Sequence, residues 1–223
     1  MKLSDYSTIA FDCDGVLLNS NKVKTKAFYE SVISYGEAFA KQLVAYHRSN
    51  GGVSRYKKFD YFLREIVSLE SYEHEMNVLL EKYAELVREG LLKCEVAGGL
   101  KELKSRSANA KWMVVSGGDQ VELREIFAKR NLSHYFEAGI YGSPESKEVI
   151  IERGLSNGLV VNEALFIGDS RYDHEAACSF GIDFVFVHGW TEFDGWREYC
   201  AEHSIGSVGD IRGLLSFTGS VGG

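Results

Sequence analysis

The sequence lacks a C-x-x-C pair and any other cysteine spacing typical of a thiolate zinc site or a redox motif. Its histidines also lack the H-E-x-x-H spacing or another metal-binding pattern, so we interpret them as structural or surface residues. The cysteines lie far apart and are expected to be reduced, mostly buried thiols. They are Cys13, Cys94, Cys178 and Cys200.

An excess of positive charge is also missing, because 25 lysines and arginines face 32 aspartates and glutamates, a formal net charge of -7. Such a surface does not attract a polyanionic backbone, so no nucleic-acid partner is expected, although one pocket could still concentrate positive charge around a small anion. No apolar run reaches the length of a membrane span, and the N-terminal residues include acidic Asp5 and do not resemble an export signal. A cytoplasmic protein that does not bind membranes is expected, and no feature of the sequence specifies an oligomeric state.

Short apolar segments that end in polar turns recur along the chain. Several of these segments are followed by a helical pattern, which favours an α/β fold with a parallel sheet, in which ligands bind beyond the carboxyl ends of the strands. The length of 223 residues allows one large domain, or a core that carries a smaller inserted domain. The predicted strands are residues 8–11, 112–115, 164–167 and 184–187.

The segment between the first two predicted strands has helical patterns and no convincing strand pattern. One apolar face runs through Phe59, Phe62, Leu63, Ile66 and Val67, and a second through Met76, Leu79, Leu80, Tyr83, Leu86 and Val87. Such stripes are usually core. We therefore predict an inserted α-helical domain over residues 16–93, with a core formed by residues 1–15 and 94–223.

Asp12 and Asp14 follow the first predicted strand, two residues apart. Two carboxylates in a buried cleft repel each other unless a cation or protons offset their charge, and Mg²⁺ is a hard cation that prefers oxygen ligands. A calcium-binding EF-hand is excluded, because its required glycine and glutamate positions hold Leu17 and Val23. A plain polar turn remains an alternative for this motif on its own.

Three further elements follow in order along the chain. Ser116 and Gly117 offer a hydroxyl and backbone N–H groups suited to phosphoryl oxygens. Lys147, near a predicted helix start, could neutralise both phosphate and carboxylate. Asp169 and Asp173 add acids after a later strand, where Asp169 could complete a metal site. Each element has a plainer alternative, namely a turn, a solvated lysine and a helix cap, but together they indicate phosphoryl transfer.

This ordered set resembles the haloacid dehalogenase-like (HAD) hydrolase superfamily, in the branch of phosphoglycolate phosphatase and β-phosphoglucomutase with an α-helical cap. The resemblance spans nearly the whole chain and implies a Rossmann-like core. It implies that Asp12 is a nucleophile forming an aspartyl-phosphate, and that Asp14 is a general acid and base that offers a backbone carbonyl to the metal. Asp169 resembles a Mg²⁺ ligand, and Asp173 a neighbouring acid that supports the metal or holds Lys147.

The same resemblance implies that Ser116, Gly117 and Lys147 orient the phosphoryl group. An acid at position 14 argues against a dehalogenase or a phosphonate-cleaving enzyme and for a phosphate ester, such as a sugar phosphate or a similar small metabolite. The lysine motif, residues 142–147, departs from the commoner Lys-Pro order of the family.

Residues 52–55 resemble the cap loop of β-phosphoglucomutase and related sugar-phosphate phosphatases, in which an arginine meets a substrate phosphate. Arg55 is therefore a candidate substrate-binding residue, and the alternative is a helix start with Ser54 as cap and Arg55 in solvent. Further candidates for this surface are Arg48, Asn50 and Lys58.

Two other functions stay open. The mutase has a histidine where Lys24 aligns, which disfavours a phosphomutase relative to a phosphatase. A non-catalytic phospho-aspartate switch uses similar residues, but such domains are smaller, lack a cap and carry the phosphorylated aspartate on a later strand.

Overall fold

The computed structural model describes residues 2–160 and 163–217, which form a six-stranded parallel sheet in the order β3-β2-β1-β4-β5-β6. Its strands are β1 (Thr8–Phe11), β2 (Lys111–Asp119), β3 (Ile140–Ser143), β4 (Ala164–Gly168), β5 (Asp183–Val187) and β6 (Ser207–Val208). The predicted α/β, Rossmann-like fold is confirmed, and the central position of β1 places Asp12 in the middle of the carboxyl edge of the sheet.

Apolar residues alternate between the two faces of the sheet, and each face is covered by helices. Ile9 and Phe11 pack on one side with α5 (Leu100–Arg106) and α6 (Gln120–Lys129). Ala10 packs on the other side with α7 (Lys147–Ser156), α8 (Arg171–Cys178) and α9 (Trp196–Glu202). Burial on both faces is what makes these strands read as continuous apolar runs.

Four of the five α-helices between β1 and β2 lie in residues 21–93, which we call the helical insert. They are α1 (Asn21–Val32), α2 (Glu37–Ser49), α3 (Arg55–Tyr61) and α4 (Glu73–Lys93), with a π-helical segment (Phe62–Ile66) after α3. The ring of Phe28 is central to their packing, with its centroid 5.3 Å from that of Phe59 and 4.5 Å from that of Tyr83. An isolated bridge between Leu18 and Val96 brings the two ends of the insert together.

The division into a core and a cap at residues 16–93 stays a prediction, and the last residues of the predicted core, 218–223, lie outside the described residues. The sequence did not predict β3 or β6, which have only four and two residues. Leu86 does not belong to a buried face of α4, since it is 37% exposed. Within the described residues no helix combines the length and apolarity needed to cross a membrane.

The second strand also differs from its prediction. The segment with Ser116 and Gly117 was expected to follow the strand, but β2 continues to Asp119, and its pairing with β3 shifts register after Val115. A register shift bends the strand locally and re-aims side chains. Ser116 therefore lies inside an irregular strand rather than in the turn beyond it.

Candidate active site

Asp12 lies directly after β1, and its side chain is buried beneath the helical insert. Nζ of Lys147 donates a hydrogen bond to Oδ1 of Asp12 at 2.9 Å. Burial raises the pKa of Asp12 to about 7, against the opposing effect of the Lys147 charge. The carboxylate is therefore poorly hydrated and depends on nearby cations to remain ionised.

Lys147 begins α7 and is completely enclosed, with a relative exposure of 1%. It also forms an ion pair with Asp173. Burial alone would lower the pKa of Lys147, but Asp12 and Asp173 together raise it above its ordinary value, so the ammonium stays charged. Of the two alternatives stated for Asp173, supporting the metal or holding Lys147, the structure contains the contact with Lys147.

Asp173 has most of its acceptor capacity filled by the first turn of α8. Its Oδ2 accepts hydrogen bonds from the Ser170 hydroxyl at 2.6 Å and the Ser170 amide at 3.0 Å, while Ser170 in turn caps the helix. This reciprocal capping box orients the other oxygen, Oδ1, toward Lys147. In the described structure Asp173 therefore acts as the residue that positions the lysine.

Asp169 follows β4 and approaches the chain after β1 very closely. A Cβ atom on Gly15 would lie 1.9 Å from Oδ2 of Asp169, and Gly15 has a φ of +78°, so both space and backbone conformation require glycine there. Asn21 at the start of α1 donates to the same oxygen at 2.8 Å. The hydroxyl of Thr191 donates to the Asp169 carbonyl oxygen at 2.6 Å.

Oxygen atoms of Asp12, Asp169 and Asp173 lie within 4.8 Å of one another, and all three residues are buried. Burial, followed by the charges of the other two acids, raises the pKa of Asp169 well above its ordinary value. Lys147 supplies a single positive charge to this cluster. The remaining repulsion and the all-oxygen donor set fit a small divalent cation such as Mg²⁺.

Asp14 lies on the insert side of Asp12, and its carboxylate does not belong to this cluster. Nζ of Lys24 donates to Oδ2 at 2.5 Å, and the hydroxyl of Ser20 donates to Oδ1 at 2.5 Å. Burial would raise the pKa of Asp14, but Lys24 and Ser20 outweigh it and lower the pKa. The two acids predicted as a pair thus have opposite electrostatic environments.

The loop between α2 and α3 covers the site. A Cβ atom on Gly117 would lie 2.0 Å from the carbonyl oxygen of Gly52, and one on Gly52 would lie 3.4 Å from Nζ of Lys147. The hydroxyl of Ser116 accepts a hydrogen bond from the Gly118 amide at 3.1 Å, which leaves its proton to donate elsewhere. The glycines allow the insert to contact the carboxyl edge of the sheet directly.

Arg55 begins α3, with Ser54 as its N-cap residue. Ser54 caps this helix as the alternative interpretation expected, but Arg55 does not lie in solvent. It is only 6% exposed and pairs with Glu122 of α6, with one N–O distance of 3.2 Å. Its guanidinium also lies 4.6 Å from the centre of the Tyr83 ring. Arg55 therefore links the insert to the core at the wall of the cavity.

A cavity of about 250 Å³ separates the helical insert from the carboxyl edge of the sheet. It is smaller than pockets for drug-sized ligands, which occupy roughly 300–1,000 Å³. The residues around it include Asp12, Asp14, Asp169, Lys24, Arg55, Lys58 and Gly117.

Some residues of the site were not predicted. Ser20 and Lys24 are four residues apart on one helical face, and this spacing was a usable signal for their shared contact with Asp14. Asn21 and Glu122 had no such signal, because their partners lie 148 and 67 residues away in the chain.

The fold and this edge together define an α/β protein whose acids and buried lysine meet at the carboxyl ends of parallel strands, below a helical insert. The chain belongs to the haloacid dehalogenase-like hydrolase family, whose model matches residues 6–181.

Individual relatives are more distant. A phosphorylated carbohydrates phosphatase from Thermotoga maritima is 24% identical over an alignment 198 residues long, which covers 82% of this chain and 87% of that protein. A predicted phosphatase from Clostridium acetobutylicum superposes with a TM-score of 0.72 at 20% identity, covering 95% of this chain and 97% of the other. A predicted phosphoglycolate phosphatase from Haemophilus somnus has a TM-score of 0.64 at 19% identity, covering 82% and 85%.

Proposed function

We propose that this hydrolase is a Mg²⁺-dependent phosphatase that cleaves a small phosphomonoester through an aspartyl-phosphate on Asp12. The observation that carries the proposal is the buried Asp12 carboxylate, held 2.9 Å from Lys147 and clustered with Asp169 and Asp173 beside a cavity. The name of the Thermotoga maritima relative supports a phosphorylated carbohydrate or similar metabolite as substrate. The cavity volume supports a small one.

In the first step an oxygen of Asp12 attacks phosphorus, and the bond between phosphorus and the ester oxygen breaks. Asp14 gives a proton to the departing oxygen. In the second step Asp14 takes a proton from water, whose oxygen attacks the phosphorus, so that inorganic phosphate leaves and the Asp12 carboxylate is restored. The pKa of Asp14, which Lys24 and Ser20 lower, favours the ionised carboxylate that the second step needs. The first step needs the protonated form, so Asp14 must take up a proton before the ester bond breaks.

Charge on the transferred group is met by side chains and backbone. Lys147, the Ser116 hydroxyl and the Gly117 amide would bind phosphoryl oxygens and align phosphorus with Asp12. Mg²⁺, held by Asp12, Asp169, Asp173 and the Asp14 carbonyl, would offset the repulsion between phosphate and carboxylate. The helical insert would act as a cap that excludes water during the first step.

The proposal is tested by phosphate release from p-nitrophenyl phosphate with and without Mg²⁺. We expect Mg²⁺-dependent release that is abolished by Asp12→Asn, whereas Asp5→Asn, an exposed acid on the core surface, should have wild-type activity. Full activity of Asp12→Asn would reject covalent catalysis by this residue. Mass spectrometry of acid-quenched Asp14→Asn should detect phosphate on the protein, because loss of the base slows hydrolysis of the aspartyl-phosphate on Asp12.

The same assays separate the alternatives. Lys24, at the position of the mutase histidine, donates to Asp14 and supports hydrolysis over mutase chemistry. Formation of an isomeric sugar phosphate without free phosphate would instead indicate a phosphomutase. A long-lived phosphoprotein with negligible turnover would indicate a switch.

A further inference from the structure

Lys58 is a buried cation in the cavity wall that has no role in the chemistry described above. It lies on α3 of the helical insert, is 2% exposed, and lines the same cavity as Asp12 and Asp14. Its Nζ has one hydrogen-bond partner among the described side chains, Nδ1 of His47 at 2.8 Å. An ammonium group has three N–H donors, so two remain for another partner.

The other cationic side chains around this cavity each have a carboxylate partner. No carboxylate oxygen of residues 2–160 and 163–217 lies within 4 Å of Lys58 Nζ. The paired cations are Lys24 with Asp14, Arg48 with Glu192, Arg55 with Glu122 and Arg171 with Glu175. Lys58 is thus the exception among the cationic side chains of this wall.

His47 cannot serve as a counter-ion for Lys58. Burial, together with the charge of Lys58, keeps the pKa of His47 well below its ordinary value, so the ring is neutral. Its Nε2 lies 3.1 Å from the hydroxyl of Thr25, which donates to Glu192. With Nε2 as the donor, Nδ1 accepts from Lys58, and the chain of contacts orients the ammonium without neutralising it.

Burial without a counter-ion is costly for an ammonium. Burial, followed by the nearby charge of Lys24, lowers the pKa of Lys58 to about 7. An anionic group bound beside Nζ would reverse this effect and would gain charge-assisted hydrogen bonds in a poorly hydrated site.

We propose that Lys58 forms a second anion subsite, so that the substrate is a phosphomonoester with another anionic group, a carboxylate or a second phosphate, at its far end. This inference rests on the proposed phosphatase function. Lys58 would then be a specificity-determining residue, which selects the leaving part of the substrate while Asp12 reacts with the phosphoryl group.

Paired substrates that differ in this group provide the test. Phosphoglycolate and 2-hydroxyethyl phosphate differ by a carboxylate, and glucose 1,6-bisphosphate and glucose 6-phosphate differ by a phosphate. In one of these pairs, we expect the wild-type enzyme to have a higher kcat/KM for the member with the additional anionic group, called the anionic member below. Lys58→Met should lower kcat/KM at least about tenfold for that member and leave kcat/KM for the other member unchanged. Lys58→Arg should recover part of the preference, and the pair affected identifies the anion.

Lys57→Met is the matched control, because Lys57 lies next in the chain on the same helix but is exposed. It should leave the preference for the anionic substrate within about twofold of wild type. Equal losses on both members of a pair, or no change in preference for either pair in Lys58→Met and Lys58→Gln, would overturn the proposed subsite.

Binding to Asp12→Asn separates this inference from the proposed function. Calorimetry of that variant should detect at least about tenfold tighter binding of the anionic member, and the added Lys58→Met substitution should remove the difference. If the double variant still binds the anionic member more tightly, the subsite at Lys58 is contradicted, and this holds even when Asp12→Asn is inactive as the proposed mechanism expects. Activity retained by Asp12→Asn would instead contradict the proposed mechanism, while the binding preference would still report on Lys58.

Discussion

Replacing Lys58 with methionine removes a buried charge from the cavity wall, so we expect the Lys58→Met protein to be more stable than wild type near neutral pH. The native chain must bury this ammonium or deprotonate it, whereas the unfolded chain leaves it charged in water. Burial lowers the pKa of Lys58 from 10.5 to about 7. Between these two values the unfolded state binds more protons than the native state, so wild-type stability rises with pH in this window.

The lowered pKa sets the size of the effect. At about 1.4 kcal/mol for each pH unit, it corresponds to a penalty of about 5 kcal/mol below pH 7 that disappears as the pH approaches the unfolded value. Methionine also removes the donor to His47, and a buried acceptor without a partner costs about 1–3 kcal/mol. We therefore expect a net gain of roughly 2–4 kcal/mol at pH 6 that shrinks steadily above pH 7.

Urea unfolding followed by circular dichroism at pH 6, 7.5 and 9, in buffers without phosphate or carboxylate ions, measures this difference. Lys57→Met should change the free energy of unfolding by less than about 0.5 kcal/mol, because surface substitutions have small effects. A Lys58→Met protein that is less stable than wild type at pH 6, or a difference that does not vary with pH, would refute the reasoning about the uncompensated charge.

Three other substitutions probe the site. Gly15→Ala places a methyl group against Asp169, so we expect at least a tenfold higher Mg²⁺ concentration for half-maximal phosphate release; an unchanged requirement would contradict the assigned contact. Lys24→Met removes the cation that lowers the pKa of Asp14, so the acidic limb of the kcat profile should move to higher pH, and an unmoved limb would count against Asp14 as the base. Gly117→Ala meets a backbone oxygen of the helical insert at 2.0 Å and should raise KM by about tenfold through incomplete closure, whereas a KM within twofold of wild type would show that the contact is dispensable.

Much of the fold was predictable because local patterns carry it. The strands at residues 8–11, 112–115 and 164–167 were found from apolar runs that end in polar turns, and the strand at 184–187 from the further run that follows the third. The α4 helix was predicted from its periodicity. Leu86 was assigned to its apolar face but is exposed, since periodicity alone does not define which side of a broad apolar stripe meets solvent. The strands β3 and β6 were missed because four and two residues are too short for a distinct alternating pattern.

The candidate site divides in the same way. Asp12 and Asp169 could be brought together from the sequence, because parallel strands deliver the residues at their carboxyl ends to one edge. The enclosed position of Arg55 opposite Glu122 could not, since the pair joins residues that are distant in the chain and belong to different elements.

The sequence by itself determined the parallel α/β core, the presence of a helical insertion and the set of acids and lysine at the edge of the sheet, since each of these follows from local periodicity and from the direction of the strands. Only the tertiary structure decided which charges are neutralised, because ion pairing depends on distances between side chains from separate elements. That is why Asp12 and Asp14, two residues apart, have pKa values displaced in opposite directions, and why Lys58 lacks a carboxylate partner among the described residues while Lys24 has one.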